Sequence, residues 1–548
     1  MLISLLSAVG VTLCIFGYAA FFKINFVNNN ESIKIIDFLY GILFLSTISI
    51  TLNFIIEIKY VSYLIVLLGL FFFFKYQFQN KIKIKYLYLF SIISFLIFIS
   101  KDNNLAYDSS LYHLQTIKYN YHFKSIFGLA NLEPRLGMNS IWHSFISLFY
   151  FELFNQNLVY LVNIIIFGLF ICLAFELNLN EPTGKHAYYF YILSLIYIFS
   201  YSYFHPFNNG TILNSLGSPE VDVMGMIFFI ISIYLFLIYL NSKNYFIFQL
   251  LIASIFMAIA IKISHIALIL LVLYILCFNK ALFKVNKFSL FMVFSSLFWI
   301  LKSFFLSGCL FFPLKNSCFD KSWSLGKSNV EDYRNIISSF NRDISDKQKW
   351  TDFDYTLNSS EWFMPWFKNY FLKTELLYIS LFVIIFSIVL NSFFLIKNYD
   401  LNKKHINKDI LFLILTICIS TYIWFIAPEI RLGYGTLISL TILFFLILII
   451  NLNYDFKKIL FFEKILLLFI VLISIDNFKG FNDFNKISFV KNFNYKNFKI
   501  IYSINNFNIY KPIQGPFCFD INEFCSYQGF NVNIYKNSNN YFFMENKW

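Results

Sequence analysis

Apolar runs of about 15 to 22 residues recur along nearly the whole chain, and a helix of that length crosses roughly 30 Å of hydrocarbon. Hydrophobic residues make up 59% of the 548 positions and charged ones 13%, a balance that excludes a soluble globular enzyme. The reading is an all-α polytopic membrane protein. Expected spans are 2–22, 35–56, 60–75, 86–100, 157–176, 187–204, 222–240, 246–262, 265–279, 287–306, 374–395, 409–427, 434–452 and 459–475. Met1 to Phe22 holds no basic residue and runs straight into Lys23, so it reads as the first span and not as a cleavable leader.

Lys and Arg in the short loops set the orientation. The loop with Lys75, Lys81, Lys83 and Lys85 and the loop with Lys397, Lys403, Lys404 and Lys408 are the most basic, and both are expected in the cytoplasm. Alternation then puts 101–155, 307–373 and 428–433 outside, and the tail 476–548 with them. The loops at Lys280, Lys284 and Lys287 and at Lys457 and Lys458 fall inside, in agreement. Parity requires Met138 to Leu153 to be an interfacial or re-entrant helix, since a crossing there would turn Lys185 outward. A second such helix is expected over Ser109 to His122, where Leu111, Leu114, Ile117 and Lys118 recur at helical spacing.

The net charge of +13 is scattered in small clusters between apolar runs, which gives nucleic-acid binding no support. Lys dominates, and Arg occurs only at 135, 334, 342 and 431. An Arg kept in so Lys-rich a chain points to planar, two-pronged recognition. Cys309 and Cys318 share one outer loop and Cys518 and Cys525 share the tail, at spacings that disulfides can close in an oxidising compartment; unrelated free thiols are the alternative. Cys14, Cys172, Cys277 and Cys418 lie within spans.

No P-loop, GxGxxG turn, GxSxG elbow or HExxH helix is present. Polar residues gather instead in four outward segments. The first carries Asp108, Tyr112 and His113, followed by Glu133 and Arg135; Asp108 is either a helix cap or a carboxylate with hydrogen-bonding neighbours. The second runs from His205 to Asp222 and places Glu220 and Asp222 at the mouth of a span, as a solvated helix start or as part of a site. Lys262 sits in a narrow hairpin, where it either snorkels or meets a phosphate. Glu429 and Arg431 share a tight turn with Gly433 and Gly435, as a simple ion pair or with Arg431 on a phosphate.

The stretches YDSSLYHLQTIKY (107–119), EPRLGMNSIWH (133–143), SGCLFFPLKNSCFDKSW (307–323) and APEIRLGYG (427–435) resemble those of the GT-C class of membrane glycosyltransferases. They are most similar to an uncharacterised bacterial family of GT-C-like integral membrane proteins. The resemblance implies a GT-C-like bundle of about 13 to 14 transmembrane helices over 1–475, with outer-face juxtamembrane helices, and a small extracytoplasmic tail over 476–548. It implies a membrane glycosyltransferase that moves a sugar from a polyprenyl-phosphate donor to a glycan, lipid or protein acceptor of the cell envelope, on the periplasmic face of a bacterial inner membrane. Asp108 would be the catalytic base, with Tyr112, His113, Glu133, Arg135, Glu220 and Asp222 supporting it, and Lys262 and Arg431 would bind the donor phosphate. The first loop lacks the paired acids of the best-known GT-C enzymes, which leaves open both the base and a requirement for a divalent metal; no other cofactor is expected. A polysaccharide polymerase or ligase acting on lipid-linked oligosaccharide and a transporter are the rival readings.

Cysteine-accessibility labelling in intact cells checks the topology. Asp108, Pro313, Arg431 and the tail are expected on one side and Lys83 and Lys403 on the other; a cytoplasmic tail would overturn the grouping.

Overall fold

The structure is a computed structural model that describes residues 2–79, 82, 84, 86–100, 105–153, 156–176, 185–204, 212–282 except 214, 284–397, 408–451, 498–504, 507–518 except 514, 524–526, 532–536 and 542–546. The span expected at 459–475 and the residues Lys83, Lys403, His205, Lys457 and Lys458 lie outside these.

The apolar runs among the described residues fold as helices, because in hydrocarbon a helix satisfies its own backbone hydrogen bonds. The first four are α1 (Leu2–Phe22), α2 (Phe38–Ile55), α3 (Ser62–Phe78) and α4 (Tyr86–Ser100). The first long loop contributes α5 (Leu114–His122) and α6 (Ile141–Ser147), and then α7 (Val159–Glu176), α8 (Lys185–Phe204), α9 (Val221–Ser242), α10 (Tyr245–Ile261), α11 (Ile269–Phe278) and α12 (Lys287–Ser307) follow. After α13 (Lys327–Arg342) and α14 (Phe363–Trp366) come α15 (Glu375–Lys397), α16 (Lys408–Phe425) and α17 (Ile430–Asn451). Among the described residues, Ile3–Val27, Ile35–Ile55, Val221–Ser242, Lys287–Ser307, Glu375–Ser392, Lys408–Phe425 and Ile430–Leu448 are long and apolar enough to cross a membrane. Ser62–Phe78, Leu89–Ser100, Val159–Ala174, Tyr245–Ile261 and Ile263–Phe278 are shorter apolar helices. These helices mark a multi-pass membrane protein.

The bundle is organised around α9, apolar on every side and buried from Val221 to Leu237, with α8, α10 and α17 packed on it. A helix without a polar face has to sit in the middle. At its end Lys243 turns left-handed (φ 49°), and the Asn244 side chain caps α10 by accepting from the Phe246 N–H at 2.8 Å. This tight reversal makes α9 and α10 antiparallel neighbours. Near the same end of the bundle, Lys23 and Asp37 form a buried ion pair at 2.8 Å, with the Lys23 ammonium over the Phe246 ring.

The opposite end holds the loops with chemistry. Met138 to Leu153 forms no helix long enough to cross a membrane: α6 spans seven residues, and a two-stranded ladder of β1 (Glu152–Leu153) and β2 (Gln156–Asn157) follows. Ser109–His113 forms one π-helical turn leading into α5. Both loop helices are buried instead of lying on a surface, because their polar side chains find partners inside. Asn53 donates to the backbone carbonyls of Asn120 and Phe123 at 2.9 and 2.8 Å, and Lys302 of α12 donates to Asn120 Oδ1 and Ser144 Oγ at 2.8 and 3.0 Å. The C-terminal region adds strands: β3 (Phe498–Ile504) pairs antiparallel with β4 (Phe507–Pro512), β4 pairs parallel with β5 (Phe524–Cys525), and β6 (Val532–Lys536) pairs with β7 (Phe542–Asn546). Disulfides join Cys309 to Cys318 and Cys518 to Cys525.

Close helix contact at α1 and α3 rests on glycine, as is common where no hydrophobic force drives helices together. A Cβ on Gly17 would lie 1.9 Å from the Gly69 carbonyl oxygen. Gly17→Ala is therefore expected to cost about 1 to 3 kcal/mol by overpacking, read as a lower melting midpoint in detergent micelles. A variant that melts like the wild type would show that α1 and α3 do not meet there.

Candidate functional site

The turn between α16 and α17 is fixed before its charged groups are considered. Trp366 Nε1 donates to the Pro428 carbonyl at 3.1 Å, Trp424 Nε1 to the Glu429 carbonyl at 2.7 Å, and the Ile430 N–H donates to the Tyr370 hydroxyl at 3.0 Å. Beyond the turn, Gly435 lets α17 close on α9, where a Cβ would come within 2.9 Å of the Phe229 Cβ. That approach carries Arg431 to the start of α9.

Arg431 is the hub. Its Nε donates to Glu429 at 2.5 Å, and its Nη1 donates to Asp108 at 3.1 Å and to Glu220 at 3.4 Å. Asp108 precedes the π-helical turn but makes no side-chain cap bond, so its carboxylate belongs to Arg431 and not to the helix. Glu220 is the N-cap residue of α9, again with no side-chain cap bond; it is buried, and its Oε2 has no partner among the described residues. Asp222, in the first turn of α9, accepts from the Lys262 ammonium at 2.5 Å. The solvated helix start and the snorkelling lysine are thus both replaced by a part-buried ion pair.

Backbone ties hold the acids in place. Asn163 of α7 donates to the carbonyls of Ser218 and Glu220 at 2.7 and 2.8 Å, and accepts from Trp142 Nε1 at 2.8 Å. The Ala106 N–H donates to Ser218 Oγ at 3.3 Å, joining the Asp108 segment to the Glu220 segment. As a result, carboxylate oxygens of Asp108, Glu220 and Asp222 all lie within 4.8 Å of one another. Three hard oxygens so close are a donor set for a divalent cation, though Arg431 and Lys262 already compete for them.

Crowding decides the protonation of these acids. Burial pushes the Glu220 carboxyl up to about 8; the charges of Asp222, Asp108 and Glu429 push the same way and Arg431 opposes them. Burial also raises Glu429, against the pull of Arg431. His113 is held down to about 4 by burial, with the Asp108 and Asp222 charges opposing, so near neutral pH its imidazole is uncharged. Its ring lies 4.9 Å from that of His143 and 4.3 Å from that of Tyr112, and all three side chains are buried. Burial raises the Tyr112 hydroxyl well above its usual range. Glu133 and Arg135 form a pair of their own at 3.0 Å.

The structure therefore gathers Asp108, Glu220, Asp222, Lys262 and Arg431, with Tyr112 and His113 behind Asp108. Sequence reasoning missed Asn163, Trp366, Tyr370 and Lys302. Asn163 and Lys302 do carry a signal, since Asn163 is a lone polar residue and Lys302 a lone charge inside apolar runs.

A family model described as "Domain of unknown function (DUF8201)" matches residues 1–438. The chain belongs to the DUF8201 family. The DUF8201 match contains every residue of the acidic cluster and stops before the C-terminal strands. Comparison with curated proteins and with solved structures gives no match.

The raised Glu220 carboxyl has a defined pH consequence. The folded chain keeps this proton up to about pH 8, whereas an unfolded chain releases it near its ordinary 4.5, so stability falls as pH rises between those values. Melting midpoints of detergent-solubilised protein are expected to fall across that window, and less steeply in Glu220→Gln. Identical slopes for the two proteins would contradict a buried, protonated Glu220.

Proposed function

We propose that the cluster catalyses inverting transfer of a sugar from a polyprenyl-phosphate donor to a cell-envelope glycan, lipid or protein acceptor, at the outer face of a bacterial inner membrane. The observation that carries this reading is the meeting of Asp108 with Arg431, 323 positions apart, at the mouth of an apolar bundle, with Lys262 one carboxylate away. A lipid-borne donor reaches such a mouth from the bilayer side, and no nucleotide site is needed.

Asp108 takes the proton of the acceptor hydroxyl as that oxygen bonds to the anomeric carbon. The bond from the anomeric carbon to the phosphate oxygen breaks with inversion, and its electron pair stays on the leaving phosphate. Arg431 and Lys262 meet that charge. Arg431 does so differently from a simple two-pronged clamp, because Nε and Nη1 are engaged by carboxylates; Nη2 is the edge left for a phosphate. The Lys262 ammonium keeps donors beyond the one on Asp222. The surrounding acids orient both cations and limit the anionic charge the site tolerates. With Glu220 protonated, Asp108, Asp222 and Glu429 still outnumber Arg431 and Lys262, which favours a monophosphate donor over the diphosphate of a polymerase or ligase.

The test uses purified membranes and a panel of radiolabelled polyprenyl-phosphate hexoses. Asp108→Asn is expected to lower transfer by roughly 10²- to 10⁴-fold. Arg431→Lys keeps the charge but loses the planar geometry, and is expected to cost about 1 to 3 kcal/mol of transition-state stabilisation. Wild-type transfer by Asp108→Asn, normalised to folded protein, would overturn the reading.

A further inference from the structure

The C-terminal strands return to the first long loop at two points. At one, the Phe524 ring of β5 lies 4.6 Å from that of Tyr119 and 5.0 Å from that of Phe123, and the Cys525 N–H donates to the Tyr119 hydroxyl at 3.1 Å. At the other, Phe517 meets Tyr107 edge to face at 5.2 Å. The disulfide between Cys518 and Cys525 ties the two contacts together, so Phe517 is held beside Tyr107 by a covalent clamp anchored on α5.

Tyr107 immediately precedes Asp108. It is 54% exposed, although the chain from Ser109 to Tyr121 is buried throughout. An aromatic left this open, backed by a clamped second ring and followed by a carboxylate that is 25% exposed, combines an apolar surface with a hydrogen-bond acceptor. A sugar ring is built the same way: one face carries polarised C–H groups that suit the negative face of an aromatic, and its edge carries hydroxyls.

We infer that Tyr107 and Phe517 form the acceptor wall of the site, taking the C–H face of an acceptor sugar while one of its hydroxyls points at Asp108. The acceptor is thus a carbohydrate, and the tail, beyond the family-matched residues, supplies part of its recognition. This rests on the glycosyl-transfer reading given above.

The experiment is saturation-transfer NMR on full-length protein in a sugar-free detergent, with methyl hexopyranosides as probes. Saturation is expected to reach the ring C–H protons of at least one probe. Tyr107→Ala and Phe517→Ala are each expected to weaken that binding about threefold to tenfold, with Tyr107→Trp restoring it. Binding unchanged in both alanine variants, or no saturation of any probe by the wild type, overturns the inference. So does a Tyr107→Trp fluorescence that brominated lipids quench and no sugar protects, since the residue then faces the bilayer. The two readings fail separately: transfer that survives Asp108→Asn sinks the proposed reaction, whereas an inactive Asp108→Asn with sugar binding untouched by the alanine variants sinks the acceptor wall alone.

Discussion

A guanidinium keeps its charge even where water is scarce, so burying one is costly unless carboxylates and acceptors surround it, and Arg431 is placed by that demand. Its partners Glu429, Asp108 and Glu220 come from three stretches of chain, so a single side chain fixes the separation of the first loop, the start of α9 and the start of α17. Without its charge the three acids would face one another at close range with little water to screen them. The Lys262 pair on Asp222 works in the same sense from the end of α10. These contacts weld together the helix ends that the bundle packing brings near.

Beneath the cluster lies a layer of polar contacts that sets where the first loop sits. Trp142 bonds to Asn163, Asn163 to the backbone at Ser218 and Glu220, Asn53 to the backbone of α5 and Phe123, and Lys302 to Asn120 and Ser144. Each removes a polar atom from an apolar surrounding where it would otherwise stand unsatisfied. Together they hold α5 and α6 inside the bundle, and with them the π-helical turn that presents Asp108, Tyr112 and His113. His113 and His143, both buried, continue the polar layer from the acids towards Lys302.

The spans were legible because hydropathy is a local property: a run such as Val221 to Ser242 announces its own fate. Asp108, Glu220, Asp222, Lys262 and Arg431 stood out for a related reason, since a charge at the end of an apolar run costs free energy unless it has a partner or a task. What they touch was not legible. Asp108 read equally well as a helix cap, and Glu429 with Arg431 as a closed pair, because the deciding contacts lie hundreds of residues away. Asn163 gives no periodic signal, and its importance comes from two carbonyls on another loop. The strands of the tail were missed because segments of two to seven residues are too short for their alternation to stand out.

The bond from the Cys525 N–H to the Tyr119 hydroxyl spans 406 positions. At the usual pace of synthesis, about 5 to 20 residues per second, Tyr119 leaves the ribosome roughly 20 to 80 s before Cys525 does. For that interval the nascent chain has its first loop, and later its Arg431, but no β5 to meet α5. The tail contacts on Tyr107 and Tyr119 can therefore form only after every helix of the acidic cluster has been synthesised.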